Sequence, residues 1–146
     1  MHHVATADQM FDLGKRIGAQ VNPGDLIVLS GPFGAGKTLL AQGIGAALGV
    51  DEITSPTFVI SRRHKGVTPI VHVDLYRLLD SKDVLAAIAD LDLESDSEKV
   101  VTIIEWAAAE YFQMFPERLE ITIDRTSDVR AVSINGVGPR WESFSL

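Results

Sequence analysis

The chain has 146 residues, the length of about one domain, so residues 1–146 are expected to fold as a single unit. Thirteen Lys+Arg against 20 Asp+Glu leave a net charge of −7, which weighs against a broad basic surface for gripping nucleic acid, though not against one local basic patch. With no cysteine there are no disulfides, thiolate metal sites or cysteine nucleophiles; no apolar run reaches the ~18–20 residues of a membrane span, and no signal-peptide core is visible, so a cytoplasmic protein without a membrane role is expected. Met1-His2-His3 is assigned to no element. Thr6 can cap a helix running to about Gln20, with Met10, Leu13 and Ile17 on one face. Asn22-Pro23-Gly24-Asp25 signals a turn, and Leu26–Leu29 reads as a short strand buried on both sides, as in a covered parallel sheet. A second helix runs from Leu39 to about Leu48, with Gly49 placed as its left-handed terminator. Gly43 and Gly45 inside it predict close packing against the sheet.

Further along, Thr57–Arg63 and Thr68–Asp74 read as strands joined at His64–Val67, and Ser81 can cap a helix over 82–89. The acidic stretch Asp90–Lys99 reads as a solvated loop without the glycine and ligand spacing of a calcium site. Val100–Ile104 is another buried strand, followed by a helix over Trp106–Met114, and Leu119–Asp124 with Val129–Asn135 alternate as the arms of a terminal hairpin. Strands alternating with helices predict an α/β fold: a mostly parallel sheet with antiparallel edge strands and helices on both faces.

The strongest local signal is Gly31-Pro32-Phe33-Gly34-Ala35-Gly36-Lys37-Thr38, which matches G-x-x-x-x-G-K-[ST] at every fixed position. The glycines let the backbone turn tightly and aim successive N–H groups inward, and the following helix adds its unpaired N-terminal donors. Lys37 is placed to reach the β- and γ-phosphates of a nucleotide, and the Thr38 hydroxyl to ligate Mg²⁺. A buried strand before the loop and an amphipathic helix after it fit this P-loop reading. Asp74 and Glu105 each end a buried strand; in an open α/β sheet ligands bind beyond the carboxyl ends of the strands, so both can approach the phosphates. Each can hold the metal or orient water, or else cap the next helix, as Glu105 can before Trp106; spacing does not divide the roles between them.

Taken with Ser55-Pro56-Thr57-Phe58, His72-Val73-Asp74-Leu75-Tyr76-Arg77-Leu78 and Ile104-Glu105-Trp106-Ala107, the loop closely resembles the TsaE (YjeE) family of small bacterial P-loop ATPases, in order over about Ala7–Asn135. The resemblance implies a P-loop NTPase fold and the ATPase component of the machinery that makes threonylcarbamoyladenosine in tRNA. Its partners would be TsaD-like and TsaB-like proteins, with tRNA met indirectly through the complex. It implies that Gly31, Gly34, Ala35, Gly36, Lys37, Thr38 and Leu39 hold ATP, and that Thr38, Asp74 and Glu105 serve Mg²⁺. Catalysis would fall to Lys37, Asp74, Glu105 and a γ-phosphate-sensing Thr57 in a switch-like segment. Trp106 would be functional or core, and Tyr76 and Arg77 partner or phosphate contacts. Where relatives carry adjacent basic residues in the terminal hairpin, this chain offers Arg130; the adenine side is expected near Thr6 and Ala7.

His72 reads as a satisfied core histidine, and Arg62-Arg63-His64-Lys65 as a solvated hairpin turn or a partner or tRNA contact. No arginine finger is recognisable in the chain, so slow hydrolysis in isolation is expected. Alternatives on the same loop are a small-molecule kinase, disfavoured by the missing arginine-rich lid, and a nucleotide-dependent structural clamp with incidental hydrolysis. A GTPase lacks its N-K-x-D string.

Overall fold

The computed structural model describes residues 1–32, 34–50, 53, 61–74, 97–105, 115–125 and 127–146. Strand β1 (His2–Val4) leads into helix α1 (Ala7–Gly18), and β2 (Leu26–Ser30) runs through the glycine-rich loop into helix α2 (Lys37–Ala47). The remaining strands are β3 (Ser61–His64), β4 (Ile70–Asp74), β5 (Val101–Glu105), β6 (Arg118–Asp124) and β7 (Arg130–Val137). They form one sheet in the order β1-β7-β6-β2-β5-β4-β3. Its centre is parallel, with β2 between β5 and β6 and β4 beside β5. Antiparallel pairing is confined to β3 on one side and the β6–β7–β1 meander on the other.

Each element follows from local chemistry. Thr6 caps α1, its hydroxyl oxygen accepting from the Gln9 N–H at 3.1 Å and so satisfying one orphan donor of the first turn. Gly49 follows α2 at φ 75°, the left-handed geometry expected of the terminator. The central strands are buried on both faces. Ile27, Leu29, Ile103, Leu119 and Ile121 pack with Leu13, Ile17, Leu40 and Ile44 of the helices, while Val28 and Ile104, which alternate with them, are also fully buried. The helices expected over 82–89 and 106–114, the acid pairs of 90–96 and the strand segment 57–60 lie outside the described residues.

Three expectations need correction. Gly43 contacts the other helix, not the sheet: a Cβ there would strike the Phe11 carbonyl oxygen of α1, and one on Gly14 the Leu40 carbonyl oxygen of α2. The two helices therefore cross with backbone nearly touching backbone; Gly45 instead makes room for Ile53 and Val50. In the basic stretch, Arg62 and Arg63 lie in edge strand β3 as the strand expected over Thr57–Arg63 requires, but His64, expected in the solvated link, is the last residue of β3 and is buried between the exposed Arg63 and Lys65. Finally, His2–Val4, assigned to no element, pairs antiparallel with Arg130–Val132. Within the expected solvated loop, Ser97–Lys99 forms a single 3₁₀ turn.

The C-terminus is tied down by a contact between residues far apart in the chain. The Arg140 guanidinium donates to both Asp25 oxygens at 2.9 and 2.8 Å and to the Gln20 carbonyl at 3.0 Å, and lies 4.3 Å over the Trp141 ring. Asp25 is only 7% exposed, so removing its cation leaves a desolvated carboxylate. Arg140→Ala should therefore destabilise the fold by about 2 kcal/mol, the scale of hydrogen bonds to charged groups, lowering the melting temperature by ~4–8 °C. A thermal melt checks this, and a shift below ~1 °C would show that the tether carries no stability.

Candidate nucleotide site

The loop begins where β2 ends. Gly34 and Gly36 take φ of 72° and 111°, a left-handed backbone that suits glycine and turns the chain into α2. Gly36 is the N-cap of α2 and makes no side-chain cap, so the first-turn N–H groups keep no side-chain acceptor from that position. Such donors, with the positive end of the helix dipole behind them, form an anion site. Ala35 is buried at the centre of the loop, while Thr38 is half-buried on the first turn of α2.

Lys37 has left water almost entirely, at 6% exposure. Its ammonium donates to the Gly31 carbonyl at 2.5 Å and the Pro32 carbonyl at 2.9 Å, folding back over the loop it follows. Desolvation lowers its pKa from the usual lysine value, and the nearby carboxylates of Glu105 and Asp74 partly oppose that shift. The three charges thus form one electrostatic cluster.

The sheet register explains why. Glu105 lies level with Leu29 of β2 on one side and with Asp74 of β4 on the other, so both acids stand at the carboxyl edge beside the strand that feeds the loop. Side chains alternate along a strand, and partners in register share a face. Asp74, Glu105 and Leu29 consequently face the side on which Leu29 packs with α1 and α2. Asp74 is half-buried, but Glu105 is 1% exposed. Its Oε2 lies 3.1 Å from His72 Nε2, while Oε1 is buried and has no hydrogen-bond partner among the described residues. A buried carboxylate oxygen left unsatisfied beside a lysine and an anion-binding loop suits a cation or a water. The carboxylates of Asp74 and Glu105 and the hydroxyl of Thr38 are of the hard-oxygen kind that Mg²⁺ prefers. His72 is not the satisfied core residue expected, since among the described residues neither ring nitrogen makes a hydrogen bond of good geometry.

On the other side of the loop lies a cleft of about 240 Å³, lined by Thr6, Ala7 and Met10 of the first helix region, Gly34, Ala35, Gly36 and Leu39 of the loop and α2, and Arg130. The structure thus brings Arg130, Leu39 and the Thr6–Ala7 segment to one place. Arg130 donates to the Gly34 carbonyl at 3.4 Å. A second arginine was missed by the sequence reading: the Arg125 guanidinium sits against Gly34, where an added Cβ would meet its Nη1 at 2.8 Å. The signal was available, because Arg125 follows the last residue of β6, at the same strand edge that singled out the acids. The chain therefore supplies two cations to the tip of the loop. Ser55, Pro56, Thr57, Phe58, Tyr76, Arg77 and Trp106 lie outside the described residues.

The family model described as threonylcarbamoyl adenosine biosynthesis protein TsaE matches residues 4–132. The chain is 46% identical over 122 residues to the tRNA threonylcarbamoyladenosine biosynthesis protein TsaE of Mycobacterium tuberculosis, covering 79% of this chain and 73% of that one. It is 41% identical to the protein of the same name from Streptomyces coelicolor, over 94% of this chain and 97% of the relative. Among solved structures, Bacillus subtilis YdiB superposes with a TM-score of 0.75 at 31% identity, covering 97% of this chain and 87% of that one. The fold is thus that of a P-loop protein, and among the described residues no helix is long and apolar enough to cross a membrane.

Proposed function

Because the chain belongs to the TsaE family, we propose that it is the ATP-binding, slowly ATP-hydrolysing subunit of a tRNA threonylcarbamoyladenosine-forming complex with TsaB-like and TsaD-like partners. The observation that carries the reading is the cluster of Lys37, Asp74 and the buried Glu105 at the mouth of the glycine-rich loop. In this reading Gly31, Gly34, Ala35, Gly36 and the first turn of α2 wrap the β- and γ-phosphates, and Lys37 turns from its loop carbonyls to the phosphate oxygens. Thr38, Asp74 and Glu105 hold Mg²⁺, which when bound neutralises the phosphate charge and fixes its geometry. Leu39, Thr6 and Ala7 line the cleft for the nucleoside, with Arg130 at its rim.

The chemistry is addition of water to the γ-phosphorus and departure of ADP, driven by positioning and charge neutralisation more than by covalent steps. Glu105 orients or accepts a proton from the water, and Thr57 senses the γ-phosphate. The chain does not touch the threonylcarbamoyl group. Its net charge of −7 suits a subunit that meets tRNA through its partners. Incubation with ATP and Mg²⁺, alone and with the partners, should release inorganic phosphate to water, slowly for the chain alone. Phosphate recovered on a small-molecule acceptor would replace this reading with that of a kinase.

A further inference from the structure

His72 and Glu105 form a buried contact one strand away from the glycine-rich loop's own strand. Strand alternation puts Ile70, His72 and Asp74 on one face of β4, the face on which Ile70 joins the helix-side core. In register, His72 lies opposite Ile103 and Asp74 opposite Glu105, so the imidazole sits one pleat below the carboxylate pair. The ring is fully buried, and its Nε2 approaches Glu105 Oε2 to 3.1 Å. Among the described residues neither ring nitrogen has a good hydrogen bond and the imidazole satisfies no backbone group, so it fills a space that an apolar side chain of similar size would fill with less desolvation. Its Nε2 does lie close to one carboxylate oxygen of Glu105. The other oxygen, Oε1, is buried and has no hydrogen-bond partner among the described residues, within the electrostatic cluster that includes Lys37.

We infer that His72 is a positioning residue for ATP hydrolysis: its Nε2 holds Glu105 by Oε2 and so reserves Oε1 for the reacting water or the metal. This rests on the reading of Glu105 as a working group at an ATP site. His72 touches neither nucleotide nor water, so its loss should move turnover and not binding.

The test uses the full chain, phosphate release for kcat and KM, and a fluorescent ATP analogue for affinity without turnover. His72→Leu should lower kcat at least ~10-fold while leaving nucleotide Kd within ~3-fold. His72→Gln, whose amide nitrogen reaches the place of Nε2, should recover kcat to within ~3-fold of the parent. Combined with Glu105→Gln, His72→Leu should add no further loss, since both act through one carboxylate. Should the leucine variant fail to fold, His72→Asn against His72→Gln carries the test: the amide is the same but only glutamine reaches, so a ~10-fold difference in kcat is expected. Parent-like kcat in His72→Leu, equal rates for the two amide variants, or a loss that multiplies with that of Glu105→Gln overturns the inference while the proposed function stands. A parent protein that binds no ATP overturns both.

Discussion

Lys37→Ala should lower the affinity for ATP at least ~100-fold, a loss of about 2.7 kcal/mol, and abolish measurable phosphate release. The size follows from the state of the side chain before any nucleotide arrives. Lys37 is already withdrawn from water and held by two loop carbonyls, so little conformational entropy remains to be lost when phosphate replaces them. Its charge is held at a disadvantage by desolvation, which lowers its pKa, and a phosphate oxygen relieves that disadvantage. The same shift fixes a pH dependence of the free protein. Between the lowered native pKa and the ordinary value of 10.5, the unfolded chain binds the Lys37 proton more often than the native one does, so this group makes stability rise with pH across that window. Lys37→Ala should remove that increment while leaving the protein folded. Calorimetric titration with ATP and Mg²⁺, with melts at neutral and alkaline pH, measures both effects. Parent-like affinity would place the phosphates elsewhere.

Glu105→Gln should leave ATP affinity within ~3-fold of the parent and reduce phosphate release by ~10²–10³-fold. Glutamine preserves the shape of a side chain with almost no exposed surface, so the packing beneath α2 is kept. What it removes is the negative charge beside Lys37 and an oxygen that can take a proton. In the proposed site Asp74, level with Glu105 and half-buried, would remain to serve the metal, so binding should survive. Phosphate release and binding of a fluorescent nucleotide separate the two outcomes. Hydrolysis at the parent rate would assign the water-directing role to Asp74, and Asp74→Asn would then show the larger loss. Full support of tRNA modification by a Glu105→Gln protein that no longer hydrolyses ATP would favour the structural-clamp alternative.

The features legible in the sequence were those set by near neighbours. A turn of glycines between an apolar strand and a helix is a local pattern, so Gly31–Thr38, β2 and α2 could be placed within a residue or two. Thr6 and Gly49 likewise end their helices by contacts within one turn. Strand ends picked out Asp74 and Glu105, and the parallel register put them side by side. What escaped depends on residues distant in the chain. Arg140 meets Asp25 across 115 positions, and His2–Val4 is a strand only because β7 accepts it. Periodicity shows that a helix face is buried but not what buries it, so Gly43 was assigned to the sheet although α1 occupies that side. Apolar neighbours along β4 hid the one polar atom that matters to His72, a carboxylate oxygen on the next strand. Arg125 shares the strand-edge position of the acids, and its place against Gly34 depends on a loop distant in the chain.

Under the proposed function, this chain would turn ATP binding at its phosphate loop into repeated cycles of tRNA modification by its partners. Multi-turnover formation of threonylcarbamoyladenosine in tRNA, with purified TsaB-like and TsaD-like proteins and a supply of the threonylcarbamoyl donor, measures it directly. The account predicts many modified tRNAs per complex only when both this chain and ATP are present, with no recovery by Lys37→Ala. Equal multi-turnover yield without the chain, or with the Lys37→Ala protein in its place, would contradict it.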